Sequence, residues 1–184
     1  MGLDSALIMA AFSHTMQGAA SPLDERSYQE ALDYINYTTL MNQRRYDAEM
    51  TEKTARLELK YMQEQAAHND QIKFTQAGFC YEVLKSGSGP TAQQHQRITF
   101  DYRGYNMLTG ELLDQTYGNG GPITVTLNEN IFRGLWFGLQ LMQAGSIYRF
   151  YFPNALVFGR KGGNGIPPYT GMIYEIELHQ IHLD

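Results

Sequence analysis

The sequence predicts an α+β fold in which a twisted antiparallel sheet wraps on one short helix, preceded by an all-α region with a long helix. Three observations carry this. Charge is split: residues 1–70 hold six Lys/Arg against eleven Asp/Glu, while residues 71–184 hold eight of each. No Pro or Gly occurs from Leu23 to Ala77, which permits one uninterrupted helix. From Phe79 the apolar period changes from helical to alternating. The expected domains are residues 1–73, helical, and residues 74–184, the sheet domain. At 184 residues the chain has enough surface to bury for one substantial core and an appendage.

The bulk numbers exclude several functions. A mildly acidic chain without basic clusters carries no electrostatic footprint for nucleic acid or anionic membrane. Cys80 is the only cysteine, so no internal disulfide forms and no thiol pair supports a soft metal. No apolar run has the length of a membrane span. Met1 to Met16 is amphipathic and has Asp4 where a signal peptide needs positive charge, and Ala6 stands where myristoylation needs Ser or Thr. If the protein is exported, its signal is expected to have been removed already.

In chain order, Leu7, Ile8, Ala11, Phe12 and the Thr15–Met16 pair form one helical stripe that ends at Gly18. Ser21-Pro22-Leu23-Asp24-Glu25 reads as a helix start, with Ser21 as N-cap and Pro22 at the first helical position. The helix should run to about Asn69, on the order of 70 Å. Its first half places Tyr28, Ala31, Leu32, Ile35 and Thr39 on one side. Its second half offers only Tyr46, Met50, Thr54, Leu57 and Tyr61, the narrow stripe of a mostly solvated stalk. So small a helical unit buries too little surface to stand alone. Either a second copy covers it, through residues 1–70, or the helix folds back on the sheet domain.

Strands are expected at Phe79 to Leu84, Ile98 to Arg103, Glu111 to Gln115, Ile123 to Leu127, Ser146 to Phe152 and Met172 to Leu183. Between the fourth and fifth, Ile131, Leu135, Leu139 and Met142 recur at helical spacing, so a short helix should lay one face on the sheet as the floor of a pocket. Trp136 and Phe137 fall off that stripe. They cover a second surface or line a cavity.

Gly159-Arg160-Lys161-Gly162-Gly163-Asn164-Gly165 lacks the Lys-Ser/Thr ending of a phosphate loop, and Ile166-Pro167-Pro168 follows where a helix would begin. A mobile loop bringing Ile166 to a pocket rim fits better. The histidines at 14, 68, 95, 179 and 182 form no ligand set, so neither metal nor cofactor is expected. Asp114, between Leu113 and Gln115 in an apolar strand, either faces water at the strand end or fixes Tyr117 or a nearby amide. An aromatic-lined cavity with one acid suits a substrate that needs shape and low polarity more than proton transfer.

At this point the residues resemble a family. Gly78-Phe79-Cys80-Tyr81-Glu82-Val83-Leu84-Lys85-Ser86-Gly87-Ser88-Gly89, Thr99-Phe100-Asp101-Tyr102-Arg103-Gly104, Gly110-Glu111-Leu112-Leu113-Asp114, Gly138-Leu139-Gln140-Leu141-Met142, Gly145-Ser146 and Ile166-Pro167-Pro168 occur in the order of FKBP-type peptidyl-prolyl cis-trans isomerase domains. The match covers about Phe74 to Asp184. Leu3 to Ile8, Ser21-Pro22-Leu23 and Tyr28 to Leu32 are similar to the helical dimerisation domain of the macrophage infectivity potentiator and FkpA group of bacterial envelope isomerases. The beginning of that helical domain is expected to precede Met1.

The resemblance implies an isomerase and chaperone of the periplasm or cell envelope, a V-shaped homodimer acting on unfolded, proline-containing clients, and binding of macrolide inhibitors. Carried over by position, Tyr102, Asp114, Phe158 and Tyr174 form the catalytic end of the pocket. Leu113, Val125, Ile131, Phe132, Leu135, Trp136 and Ile166 contact substrate. Leu113 and Val125 replace family phenylalanines, and Phe158 replaces a Tyr whose hydroxyl donates to ligand. The family's Val-Ile-Pro-Gly-Trp becomes Asn130-Ile131-Phe132-Arg133-Gly134-Leu135-Trp136, so either Leu135 or Trp136 is the floor. These departures leave a second reading open: a binding module or chaperone with weak or absent catalysis.

Overall fold

A computed structural model describes residues 24–128 and 130–182, with positions 8, 9, 13, 14 and 16–18. Most of the opening helical stripe (Leu7, Ala11, Phe12, Thr15), the Ser21-Pro22 cap and Leu183 lie outside the described residues. The chain divides into two compact units, Met1–Glu49 and Met50–Asp184. One 44-residue helix, α1 (Glu25–His68), contributes to both.

In the first unit α1 begins on Asp24, whose Oδ1 accepts the Ser27 amide at 2.9 Å and so satisfies one of the four unpaired donors of the first turn. Ala31 is buried and Tyr28, Leu32 and Ile35 are half-buried, as their spacing requires, whereas Thr39 is exposed. Tyr34, Tyr37, Leu40 and Met41 stay exposed in this chain.

The second unit is built on seven strands among the described residues: β1 (Lys73–Phe74), β2 (Cys80–Lys85), β3 (Arg97–Asn106), β4 (Leu112–Gln115), β5 (Ile123–Thr126), β6 (Ile147–Phe152) and β7 (Met172–His182). They form one antiparallel sheet in the order β1-β2-β6-β7-β3-β4. β5 pairs with the first half of β3, and β4 with the second. A short helix, α2 (Arg133–Leu139), connects β5 to β6. Six strands follow the alternation seen in the sequence; β1 was missed because two residues carry no period.

Alternation sends neighbouring side chains to opposite faces, and both faces are buried. On one, Phe79, Phe150, Phe152, Met172 and Ile176 pack with Leu135 and Leu139 of α2. On the other, Cys80, Tyr151 and Ile173 pack with Met62, flanked by Tyr61 and Ala66 of α1. Cys80 is fully buried there, and burial pushes its thiol up to about 12, so it is a packing residue rather than a reactive one.

The second half of α1 is therefore not a solvated stalk throughout. Thr54, Glu58 and Met62 are buried, while Tyr46 and Leu57 of the expected stripe are exposed. The buried row sits one position round from the apolar one because it is centred on a carboxylate. Glu58 Oε2 accepts the Asn154 side-chain amide at 2.9 Å, and the Asn154 backbone N–H lies 3.2 Å from either carboxylate oxygen. The Gly171 N–H donates to it as well. A polar residue looks outward by composition and turns inward only when its partners arrive from elsewhere in the chain.

Candidate functional site

The site is assembled by strand register. Gly104 of β3 pairs with Asp114 on one side and with Tyr174 on the other. Cross-strand partners share a face, and Tyr102 lies two residues from Gly104 on that same face. A side chain at Gly104 would stand 2.9 Å from the Tyr174 ring. Only glycine lets that ring lie across the strand, and it meets Tyr102 with centroids 5.6 Å apart.

These groups open into a cavity of about 280 Å³. Within it the Tyr102 hydroxyl donates to Asp114 Oδ2 at 2.7 Å. Burial first, then this hydrogen bond and the charge of Asp114, drive the Tyr102 phenol well above its ordinary range. Burial, and next the neighbouring Tyr102 and Asp114, do the same to Tyr174. Both phenols stay protonated at any physiological pH. The arrangement offers a fixed O–H···carboxylate pair in an apolar wall and no imidazole, thiol or free phenolate for general base or covalent chemistry.

Tyr102, Asp114, Phe158, Tyr174, Val125, Ile131, Phe132 and Leu135 all line this cavity. Leu113, Trp136 and Ile166 do not. Leu113 precedes Asp114 on the strand, and with Asp114 turned inward it packs at the margin of the main core. Gly163 and Ile166 exchange backbone hydrogen bonds at 3.0 and 2.9 Å, which folds the glycine loop into a tight turn. Ile166 is thereby sent into the core, and Asn164, at the tip with φ 51°, faces the cavity instead.

The floor is Leu135. A Cβ on Gly134 would lie 2.8 Å from the Phe152 ring, and one on Gly138 3.0 Å from it. These two glycines, one turn apart, press the α2 backbone onto Phe152 and fix its rotation. Leu135 and Leu139 are then buried, while Trp136 and Phe137 are half-buried at the margin of the core and outside the cavity lining.

Five lining residues were not anticipated: Phe100, Ile123, Asn130, Asn164 and Ile176. The first, second and last lie two positions from Tyr102, Val125 and Tyr174, so period-two alternation could have found them. No such signal marks the two asparagines, which sit in turns.

Behind the cavity, Asp101 is buried although alternation placed it on the polar side. The Thr116 hydroxyl donates to Asp101, and His179 Nε2 lies 2.9 Å from Asp101 Oδ2. Thr116 also accepts the Tyr102 amide at 3.0 Å, so the network holds the tyrosine's backbone. Burial alone would raise the Asp101 carboxyl, but the hydrogen bonds from Thr116 and His179 outweigh it and hold the group below its ordinary value. Its stabilising contribution is complete above the unfolded value of about 3.9 and is lost as pH falls through the lower folded value. Urea midpoints measured from pH 5 to 2 should therefore drop in the wild type and drop less steeply in Asp101→Asn; equal slopes would remove Asp101 as a cause.

Fold and geometry together define a class: an α+β domain with an aromatic-lined cavity, framed by a sheet and a short helix, in which Asp114 is the carboxylate among the described lining residues. Residues 89–179 match the sequence profile of FKBP-type peptidyl-prolyl cis-trans isomerases, so the chain carries a domain of that family. A probable FKBP-type peptidyl-prolyl cis-trans isomerase FkpA of Neisseria meningitidis is 30% identical over 122 residues, 66% of this chain and 44% of that protein. The chain thus spans less than half the length of that relative. The crystal structure of FkpA from Escherichia coli superposes with a TM-score of 0.71 over 98% of this chain and 83% of that one, at 19% identity, a likeness of fold. A peptidyl-prolyl cis-trans isomerase from Pseudomonas syringae superposes at 0.62 over 71% of this chain and 95% of that one, at 27% identity.

Proposed function

We propose that the cavity receives the proline ring of an unfolded polypeptide and accelerates rotation about the preceding peptide bond. The observation that carries this reading is the Tyr102–Asp114 hydrogen bond fixed inside a cavity walled mainly by aromatic and aliphatic side chains. Rotation must cross a barrier of roughly 18–20 kcal/mol set by amide resonance. Water stabilises the planar, delocalised amide; a dry wall does not, so enclosing the bond favours the twisted form. Each tenfold of acceleration requires about 1.4 kcal/mol of that preference. No proton transfer is needed, in keeping with a site whose phenols cannot ionise.

Asp114 holds Tyr102 at one end of the cavity and sets the field across it. In a proline-limited refolding assay at micromolar protein, the full chain should accelerate the slow phase. Asp114→Ala should lower kcat/KM about tenfold or more, the loss of roughly 1.4 kcal/mol expected of a charged hydrogen bond. No acceleration by the wild-type chain would sink the proposal. A weakly catalytic binding module is the alternative, favoured by Phe158, which lines the cavity without a hydroxyl donor, and by Leu135 as a small floor. Binding of a proline peptide without acceleration would select it, and the same features should weaken macrolide binding.

The helical region, residues 1–73, is proposed to pair with a second copy. Tyr34, Tyr37 and Met41 are exposed at spacings of three and four on α1, a stripe that one chain leaves uncovered. A dimer so formed would present two isomerase domains, residues 74–184, to one client and act as a chaperone. Location in the periplasm or cell envelope is proposed from the resemblance to the envelope isomerases. No helix among the described residues is long and apolar enough to cross a membrane.

A further inference from the structure

We propose that the groove formed by Ile131, Arg133, Trp136 and Phe137 is a second recognition site, which takes an aromatic side chain lying about three residues from the client's proline. The inference rests on reading the neighbouring cavity as the proline site.

The groove has a volume of about 340 Å³ and adjoins the cavity, Ile131 lining both. Trp136 and Phe137 are half-buried, and their rings meet edge to face with centroids 4.7 Å apart at 70°. A third ring extends such an arrangement favourably. Arg133 is exposed at the rim, where its guanidinium can lie over a guest ring. The surface is preorganised. Gly134 and Gly138 lock α2 against Phe152 and Phe150, and the Gln140 side-chain amide donates to the Trp136 carbonyl at 2.8 Å. Little ordering is therefore left to be done on binding.

Spacing follows from the same geometry. Leu135 faces the cavity and Trp136 the groove, so the two sites lie on adjoining sides of one helix, which is about 10 Å across with its side chains. An extended chain advances about 3.3–3.6 Å per residue. About three residues therefore separate a proline in the cavity from a ring in the groove. Reaching both sites at once requires an extended segment, which unfolded clients supply.

The test uses the full chain and a set of peptides with one Pro and one Phe placed one to five residues apart on either side, in an otherwise Ser/Ala background. Isomerisation is measured by NMR exchange. Emission is followed from Trp136, the only tryptophan in the chain. The expected kcat/KM is greatest near a spacing of three on one side, about tenfold above a peptide without Phe, with a matching shift in indole emission. Trp136→Ala should collapse that ratio toward one, and Trp136→Phe, which preserves packing, should keep most of it. A flat dependence on spacing, an optimum at the residue next to Pro, or a change in oligomeric state on Trp136→Ala would overturn the proposal. No exchange catalysis on any peptide would instead overturn the proline reading of the cavity, while the emission titration would still report whether the groove binds the ring.

Discussion

Replacing Phe152 by alanine is expected to cost about 3–5 kcal/mol of stability, the range for emptying a phenylalanine site in a packed core. Phe152 is fully buried as the last residue of β6 and stands at the junction of sheet, helix and cavity. Its ring lies 5.1 Å from Phe79, 5.2 Å from Phe150, 6.1 Å from Phe132 and 6.2 Å from Tyr174. The last two line the cavity, and Gly134 of α2 rests on the same ring. The void is bordered by four other rings as well as the α2 backbone, so closing it requires several elements to move together. The melting temperature should fall by about 6–20 °C, at roughly 2–4 °C per kcal/mol for a chain of this size. Phe152→Leu keeps most of the volume and should cost about 1–1.5 kcal/mol. Its more telling readout is isomerisation, which should fall because Phe132 and Tyr174 lose their backing. A loss below 1 kcal/mol for the alanine variant would mean that α2 is not seated on this ring.

Glu58→Ala is the second. The carboxylate is buried on α1 and receives the backbone and side-chain amides of Asn154, 96 residues later, and the amide of Gly171. A Cβ at Gly171 would come within 2.5 Å of Glu58 Oε1, so the fit is close on every side. Alanine leaves these donors buried and unpaired at about 1–3 kcal/mol each, and with partial relaxation a total of about 3 kcal/mol is expected. Asn154 opens the short 3-10 turn Asn154–Leu156 that leads to Phe158 on the cavity wall. Loss of isomerase activity in protein that is still folded would therefore accompany the loss of stability.

The same residue makes a pH prediction with the opposite sign to that of Asp101. Burial raises the Glu58 carboxyl, and the opposing pull of the Asn154 and Gly171 hydrogen bonds only partly offsets it. A raised acid binds its proton more tightly when folded. Its contribution is present below the unfolded value of about 4.3 and declines as pH rises through the folded value. Glu58→Gln keeps an acceptor oxygen and cannot ionise, so its urea midpoint should be flatter than that of the wild type between pH 4 and 7. An unchanged slope would assign the dependence to other groups.

How much of this could be read in the sequence differs by element. Strands of four residues or more announced themselves, because alternation is a local property of neighbouring side chains. That alternation also placed Tyr102 and Asp114 on strands, and the cavity's aromatic character followed from composition. β1 was invisible at two residues. The rotation of α1 was misjudged because the apolar stripe and the buried row are different sets, Leu57 standing exposed beside buried Glu58.

By itself, then, the sequence determined the order of elements, which depends on short-range pattern, while its resemblance to a family supplied most of the residues around the cavity. Whether Leu135 or Trp136 became the floor depended on how far α2 turned. That was decided by Gly134 and Gly138 meeting Phe152, a contact between segments some fifteen residues apart. Glu58 became a structural residue only through amides supplied by Asn154 and Gly171. Tertiary structure decided both for one physical reason: burial of a side chain is settled by the partners that reach it, and those partners are distant in the chain.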